Sequence, residues 1–180
     1  MTPSYTVGGI RIRFSLLFPA MLALLCSNQQ GAMTARCLLA AVMHECGHLL
    51  MLLLLGSKPR EIRFSAFGMC LQLADSPLSQ GKHLLVSLGG PLVNLLTAGL
   101  LWLLHGNADW MAIHLLLGGF NLLPIYPLDG GQCLPEGRGR NLVSAIFLAI
   151  LSLLSLVLTV YGNISLSVVC LYLWFHQGKG

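Results

Sequence analysis

Between Met33 and Leu55 the sequence runs through leucine, alanine and methionine for long enough to cross a bilayer, and it does so again at His83–His105 and Asn141–Tyr161. A spanning helix needs about 20 consecutive apolar residues. In lipid, only a helix or a closed barrel satisfies every backbone polar group within the spanning structure itself. Three shorter apolar stretches, Phe14–Cys26, Trp110–Leu123 and Ile164–Phe175, bring the expected number of spans to six. Composition agrees, with 56% of residues hydrophobic and 9% charged, where an ordinary soluble domain carries about 25% charged residues. The expected fold is an all-α polytopic membrane protein, one membrane-embedded domain over residues 1–180.

Two stretches break the helical pattern. In Val7–Phe14, Ile10, Ile12 and Phe14 alternate with Arg11 and Arg13; in Arg60–Leu73, Ile62, Phe64, Met69, Leu71 and Leu73 recur around Gly68. Period-two alternation predicts β-strands, hence a small membrane-associated sheet whose edge offers a place for an extended peptide to add as a strand.

The charges follow the spans. Arg11, Arg13, Lys58, Arg60, Arg63, Lys82, Arg138, Arg140 and Lys179 all fall on one side of a six-span topology, and only Arg36 falls on the other. That asymmetry places both termini in the cytoplasm. Topology thus accounts for the net charge of +4, and no nucleic-acid partner is expected. Arg11 and Arg13 ahead of Phe14–Cys26 also resemble the start of a signal peptide, but no A-x-A-like site follows, so the segment is retained as the first helix. The six cysteines show no CxxC pair and read as small buried hydrophobes.

His44-Glu45-Cys46-Gly47-His48 lies in the middle of the second apolar segment. On a helix, i,i+4 spacing puts both imidazoles on one face, where they can share a metal ion. Glu45 is not needed as a ligand. Beside the two imidazoles it is placed to take a proton from an attacking water and pass it to the leaving amine. Ionisable groups within a span are costly and point to function, so incidental polar contact between helices is the weaker explanation.

A zinc ion held by two imidazoles needs a third protein ligand. Asp109 falls on the other side of the topology, while Glu61, Asp75 and Glu136 lie in loops among basic residues and read as solvated charges. Asp129 follows Pro124 and Pro127 and precedes Gly130 and Gly131, where helical structure must break. A break at membrane depth is tolerated where it lines a cavity, which makes Asp129 the candidate third ligand; the alternative is a turn-forming aspartate before glycine.

HExxH in a membrane helix, the Gly89-Gly90-Pro91-x-x-Asn94 run, and Asn121-x-x-Pro124-x-x-Pro127-x-Asp129-Gly130 together resemble the site-2 protease family of intramembrane zinc metalloproteases. The short N-terminal arm, the early HExxH and the strand-like Gly68 segment are most similar to the bacterial sporulation branch. The resemblance implies zinc held by His44, His48 and Asp129, with Glu45 as the catalytic acid/base. It implies that Asn121 holds substrate or stabilises an oxyanion, an interhelical hydrogen bond being the other reading of that residue. It further implies a membrane-anchored protein substrate cut in or near its transmembrane segment, the bacterial cytoplasmic membrane as location, and a regulatory membrane partner. Asn94 is expected to pack near the site, with the Gly-Gly-Pro run opening its helix. The sporulation branch often carries a nucleotide-sensing CBS domain, for which the sequence after the last helix leaves no room, so none is expected. The alternative is a non-proteolytic membrane metal-binding protein or transporter.

Overall fold

The structure, a computed structural model, describes residues 4–7, 9–14, 31–65, 68–73, 78–162 and 164–177. Its elements are β1 (Ser4–Val7), β2 (Ile10–Phe14), α1 (Gly31–Leu54), β3 (Pro59–Ser65), β4 (Gly68–Leu73), α2 (Gln80–Leu103), α3 (Ala108–Asn121), α4 (Asp129–Gln132), α5 (Arg138–Val160) and α6 (Ser165–Gln177). Two compact units divide the chain, Met1–Gly118 and Gly119–Gly180, and α3 runs across the boundary.

Among the described residues three helices, α1, α2 and α5, are long and apolar enough to cross a membrane, and they match the second, third and fifth expected spans. The fourth and sixth fall on the 14-residue α3 and the 13-residue α6; the first, beyond Phe14, lies outside the described residues. Outward faces carry Leu39, Leu50 and Leu53 on α1, Leu92, Leu96 and Leu100 on α2, and Ile150, Leu153 and Leu156 on α5, all exposed. Polar residues such as His44, Asn94, His114 and Ser144 are buried instead. This inverts the arrangement of a soluble protein, as expected where the surrounding solvent is apolar.

In the first unit the strands form one sheet in the order β1-β2-β3-β4. β1 and β2 pair antiparallel around Gly9, whose φ of +82° suits a tight turn; β1 extends the sheet one strand beyond the sequence expectation. β3 and β4 also pair antiparallel, while β2 and β3 run parallel with Arg11 opposite Glu61. Glu61 is a correction to the sequence reading. It is not a solvated charge but is buried, 4% exposed, with Arg13 at 3.5 Å and Arg11 at 3.8 Å. The alternation that predicts the strands does not reveal that the arginines of β2 face the acid of β3, because the pairing is long-range.

α1 ends in a Schellman motif. Gly56 adopts φ +72°, the Ser57 amide donates to the Leu52 carbonyl at 3.2 Å and the Gly56 amide to Leu53 at 3.0 Å. α1 packs on α2 through glycine. A Cβ on Gly47 would collide with the Gly89 carbonyl and approach Val93 Cγ2 to 2.9 Å; one on Gly89 would lie 2.6 Å from the Gly47 carbonyl oxygen. The Gly-Gly-Pro run therefore lies mid-helix, Pro91 being inside α2, and does not open it. α3 starts at Asn107, whose Oδ1 accepts from the Trp110 amide at 3.0 Å, and Asp109 in its first turn pairs with Arg36 at 3.5 Å.

The second unit centres on Ile125, Leu148, Cys170 and Leu173, with Phe120, Leu123 and Leu128 packed around them. α5 and α6 share a polar seam in which Thr159 Oγ1 meets Ser167 Oγ at 2.7 Å and Trp174 Nε1 donates to Ser152 Oγ at 3.0 Å. Cys170 is buried, Cys37 and Cys46 are exposed and Cys133 is half-buried. The reading as buried hydrophobes therefore fails for two of them, because on a helix facing lipid an apolar side chain gains nothing by turning inward.

The glycine contact sets a stability prediction. Gly47→Ala should force α1 and α2 apart and lower the stability of the detergent-solubilised protein by about 1–3 kcal/mol, read as a lower thermal unfolding midpoint. Gly31→Ala, whose added Cβ meets nothing within 4 Å, should leave it unchanged.

Candidate metal centre

His44 and His48 sit one turn apart on α1, and the helix brings their side chains together as the spacing predicts. Their Nε2 atoms are 3.2 Å apart, with ring centroids at 4.8 Å and planes at 83°. Two imidazole nitrogens on one tetrahedral zinc, each at about 2.0–2.1 Å, are roughly 3.3–3.4 Å apart, so the pair already has the edge length a zinc ion requires.

The opposite ring nitrogens are anchored to α2. His48 Nδ1 lies 2.8 Å from the Val86 carbonyl oxygen and 3.3 Å from the Gly90 amide nitrogen. A carbonyl can only accept, so the shorter contact places the proton on Nδ1 and leaves Nε2 with its lone pair, as a metal ligand needs. His44 Nδ1 lies 3.0 Å from Asn94 Nδ2, and Asn94 Oδ1 lies 3.1 Å from His114 Nδ1 on α3. Asn94 and His114 are both 0% exposed and His44 is 6% exposed.

Space for an ion comes from Gly90. A Cβ there would collide with His48 Nε2 and lie 2.7 Å from His44 Nε2. The absent side chain leaves open the volume beside both Nε2 atoms. Glu45, next to His44 on α1, is half-buried, a position that keeps a carboxylate near water.

Asp129 and Asn121 belong to the second unit. Asn121 is the last residue of α3 and half-buried. The chain then breaks at Pro124 and Pro127, with the Tyr126–Pro127 peptide cis, and resumes as α4 with the half-buried Asp129 in its first turn. Side chains satisfy the main chain of the break. Ser144 Oγ accepts from the Tyr126 amide at 3.0 Å and donates to the Pro124 carbonyl at 3.2 Å, and Gln132 Nε2 donates to the Pro127 carbonyl at 2.9 Å. Arg140 lies over the Tyr126 ring at 4.7 Å.

Gly130 and Gly131 are buried within α4, and a Cβ on either would collide with the backbone of residues 122–126. They allow close approach instead of a freer backbone. Burial pushes the Cys133 thiol up, and the Asp129 carboxylate adds to the shift, so this cysteine stays a neutral thiol and a weak nucleophile.

His114 stands alone on its helix in the sequence, with no partner at ligand spacing. Its partner is Asn94, 20 residues away on another helix. The available signal was the cost of placing an asparagine and a histidine in apolar helices, which requires that each find a partner.

Comparison with known proteins extends this picture. No family model matches the chain. It is 28% identical over 155 residues to a zinc metalloprotease of Methanocaldococcus jannaschii, a match that takes in 76% of this chain and 45% of that relative's length. Its fold is similar to the solved structure of a site-2 protease from Methanocaldococcus jannaschii, with a TM-score of 0.65 at 23% sequence identity, covering 99% of this chain and 94% of that one. The chain has the fold of a site-2 protease, and with its apolar helices it is an integral membrane protein.

If the two nitrogens and the space beside Gly90 form a metal centre, Gly90→Ala should reduce zinc retention roughly tenfold or more, read as zinc per chain after dialysis against a chelator. Gly81→Ala, on the same helix with nothing within 4 Å of its added Cβ, should retain zinc as the unaltered chain does.

Proposed function

We propose that this chain is an intramembrane zinc metalloprotease that hydrolyses peptide bonds in or near the transmembrane segment of membrane-anchored proteins. The observation that carries the reading is the pair of imidazoles on α1, Nε2 to Nε2 at 3.2 Å with Nδ1 of each anchored to α2, on a helix long and apolar enough to cross a membrane.

In this reading His44, His48 and Asp129 hold the ion. Two imidazoles and one carboxylate are a donor set typical of catalytic zinc, with a position left for water or substrate. Among the described acids the others have different tasks. Glu61 is paired with Arg11 and Arg13, Asp109 with Arg36, and Glu136 is exposed beside Arg140. A bound zinc ion supplies Lewis acidity, polarising the scissile carbonyl and bringing the pKa of a water toward about 7.

The chain's own residues do the rest. Glu45 takes the proton from the attacking water and delivers it to the leaving amine nitrogen. Asn121 offers an amide N–H to the substrate backbone or to the oxyanion as it forms. A helical substrate shields its carbonyls, so the scissile segment must become extended. The open edges of the sheet, β1 and β4, can hold it so by adding it as a strand.

Six spans with both termini in the cytoplasm complete the proposal, in a bacterial cytoplasmic membrane, as a protease of the sporulation-branch type with a membrane partner controlling access. Support for this topology is the distribution of basic residues, nine of the ten lying on one side.

The test turns on Glu45. Glu45→Gln should keep one zinc per chain and lower cleavage by about 10²–10⁴-fold. Coexpressed with candidate membrane-anchored precursors, it should let one precursor accumulate that the unaltered chain removes. Unchanged membrane proteomes alongside zinc flux that survives the substitution would instead indicate a metal transporter.

A further inference from the structure

We infer that Asn94 and His114 are positioning residues for His44, supplying the acceptor that its Nδ1–H needs when Nε2 binds a metal. The inference rests on the zinc reading above and concerns how this chain prepares the site.

His44 Nδ1, Asn94 and His114 Nδ1 form a hydrogen-bonded row at 3.0 and 3.1 Å across α1, α2 and α3, and Asn94 and His114 have no exposed surface. Water does not reach these atoms to replace a lost partner, and a buried polar group left unpaired is destabilising, so each contact of the row needs a donor facing an acceptor.

Two arrangements place a donor opposite an acceptor at each contact of the row; His114 Nε2, buried and with no hydrogen-bond partner among the described residues, stands outside it in both. In one, His114 Nδ1–H donates to Asn94 Oδ1, Asn94 Nδ2–H donates to His44 Nδ1, and His44 Nε2–H donates to His48 Nε2, whose own Nδ1–H is given to the Val86 carbonyl. Each contact of the row then pairs a donor with an acceptor, but His44 Nε2 carries a proton and cannot bind a metal.

In the other arrangement His44 carries its proton on Nδ1 and its Nε2 lone pair is free. Nδ1–H now needs an acceptor, which Asn94 supplies if its amide is turned over so that Oδ1 faces His44. Amide oxygen and nitrogen are nearly isosteric, so the turn needs no change of shape. Nδ2–H then faces His114 Nδ1, which must accept, so His114 holds its proton on Nε2. Each imidazole stays neutral with one proton in both arrangements, and none is gained or lost between them.

Metal on His44 Nε2 therefore selects one orientation of Asn94 and one tautomer of His114. His48 needs no such device, because the nearer of its two Nδ1 contacts, at 2.8 Å against 3.3 Å for the Gly90 amide, is a carbonyl that can only accept. Packing alone would ask only that residue 94 have the right volume, and residue 114 the right shape.

The experiment measures zinc affinity of the full chain in detergent by chelator competition, with monodisperse elution and the thermal midpoint as controls for folding. Asn94→Leu keeps the volume and loses both hydrogen bonds, and should weaken zinc about 10–100-fold. Asn94→Asp keeps the acceptor facing His44 Nδ1–H, the carboxylate–histidine–metal arrangement, and should bind far more tightly than Asn94→Leu. His114→Phe should weaken zinc by about tenfold, and the double variant Asn94→Leu/His114→Phe no more than Asn94→Leu alone, because the effect passes through Asn94.

Nitrogen-15 spectra of histidine-labelled, zinc-loaded protein should show His114 protonated at Nε2 and bare at Nδ1. Zinc affinity within twofold of the unaltered chain for both single variants would overturn the inference, as would an Asn94→Asp protein weaker than Asn94→Leu or a His114 protonated at Nδ1. Failure of the unaltered chain to bind one zinc would overturn the zinc reading itself, an outcome separate from these.

Discussion

Two imidazoles in the middle of an apolar helix are tolerable only if something within the protein takes up their remaining nitrogens, and α2 performs that service for α1. The Val86 carbonyl and the Asn94 amide reach His48 and His44 at 2.8 and 3.0 Å. Such distances require backbones closer than side chains usually permit, and Gly47 and Gly89 supply the closeness by having nothing to interpose. Hydrophobic attraction cannot drive this pairing in lipid. Main-chain contact and satisfied polar groups hold it instead, so the features that make the site possible also hold the two helices together.

Local spacing made much of this legible in advance. The i,i+4 interval of His44 and His48 fixes a common helix face whatever the rest of the chain does, and the structure brings the two nitrogens within 3.2 Å. The long apolar runs located α1, α2 and α5 to within a few residues, and the alternation of Ile10–Phe14 and Arg60–Leu73 located strands. Relationships between distant segments were not legible. No local rule links Glu61 to Arg11 and Arg13, Asn94 to His114, or Gly47 to Gly89, because each pair is set by the packing of separate elements.

In the proline-interrupted segment the break is legible locally, while the role of its glycines is not. Pro124 and Pro127 interrupt the helix for reasons internal to proline, which the sequence states outright. Whether the following glycines loosen the backbone or let it pack closely depends on neighbours, and here both are buried against residues 122–126. Freed main-chain groups at such a break must still be satisfied. Ser144 on α5 serves the Tyr126 amide and the Pro124 carbonyl with one hydroxyl. A serine inside a leucine-rich helix thus fixes the stretch that leads into Asp129.

The sheet carries a constraint of its own. Parallel strands need a crossover connection, and the chain between β2 and β3 contains α1, so pairing these strands ties the N-terminal hairpin to the segment leaving that helix. β3 begins five residues after α1 ends. Register is exacting because Glu61 is buried: a slip of one residue would send it to the opposite face and leave its charge without Arg11 and Arg13. A buried acid between two arginines is a weak source of stability but a strong source of specificity where its loss of partners is costly. That one ion-pair cluster, invisible to local periodicity, fixes the register of the parallel strand pair and with it the point where the chain re-enters the sheet after carrying the two histidines.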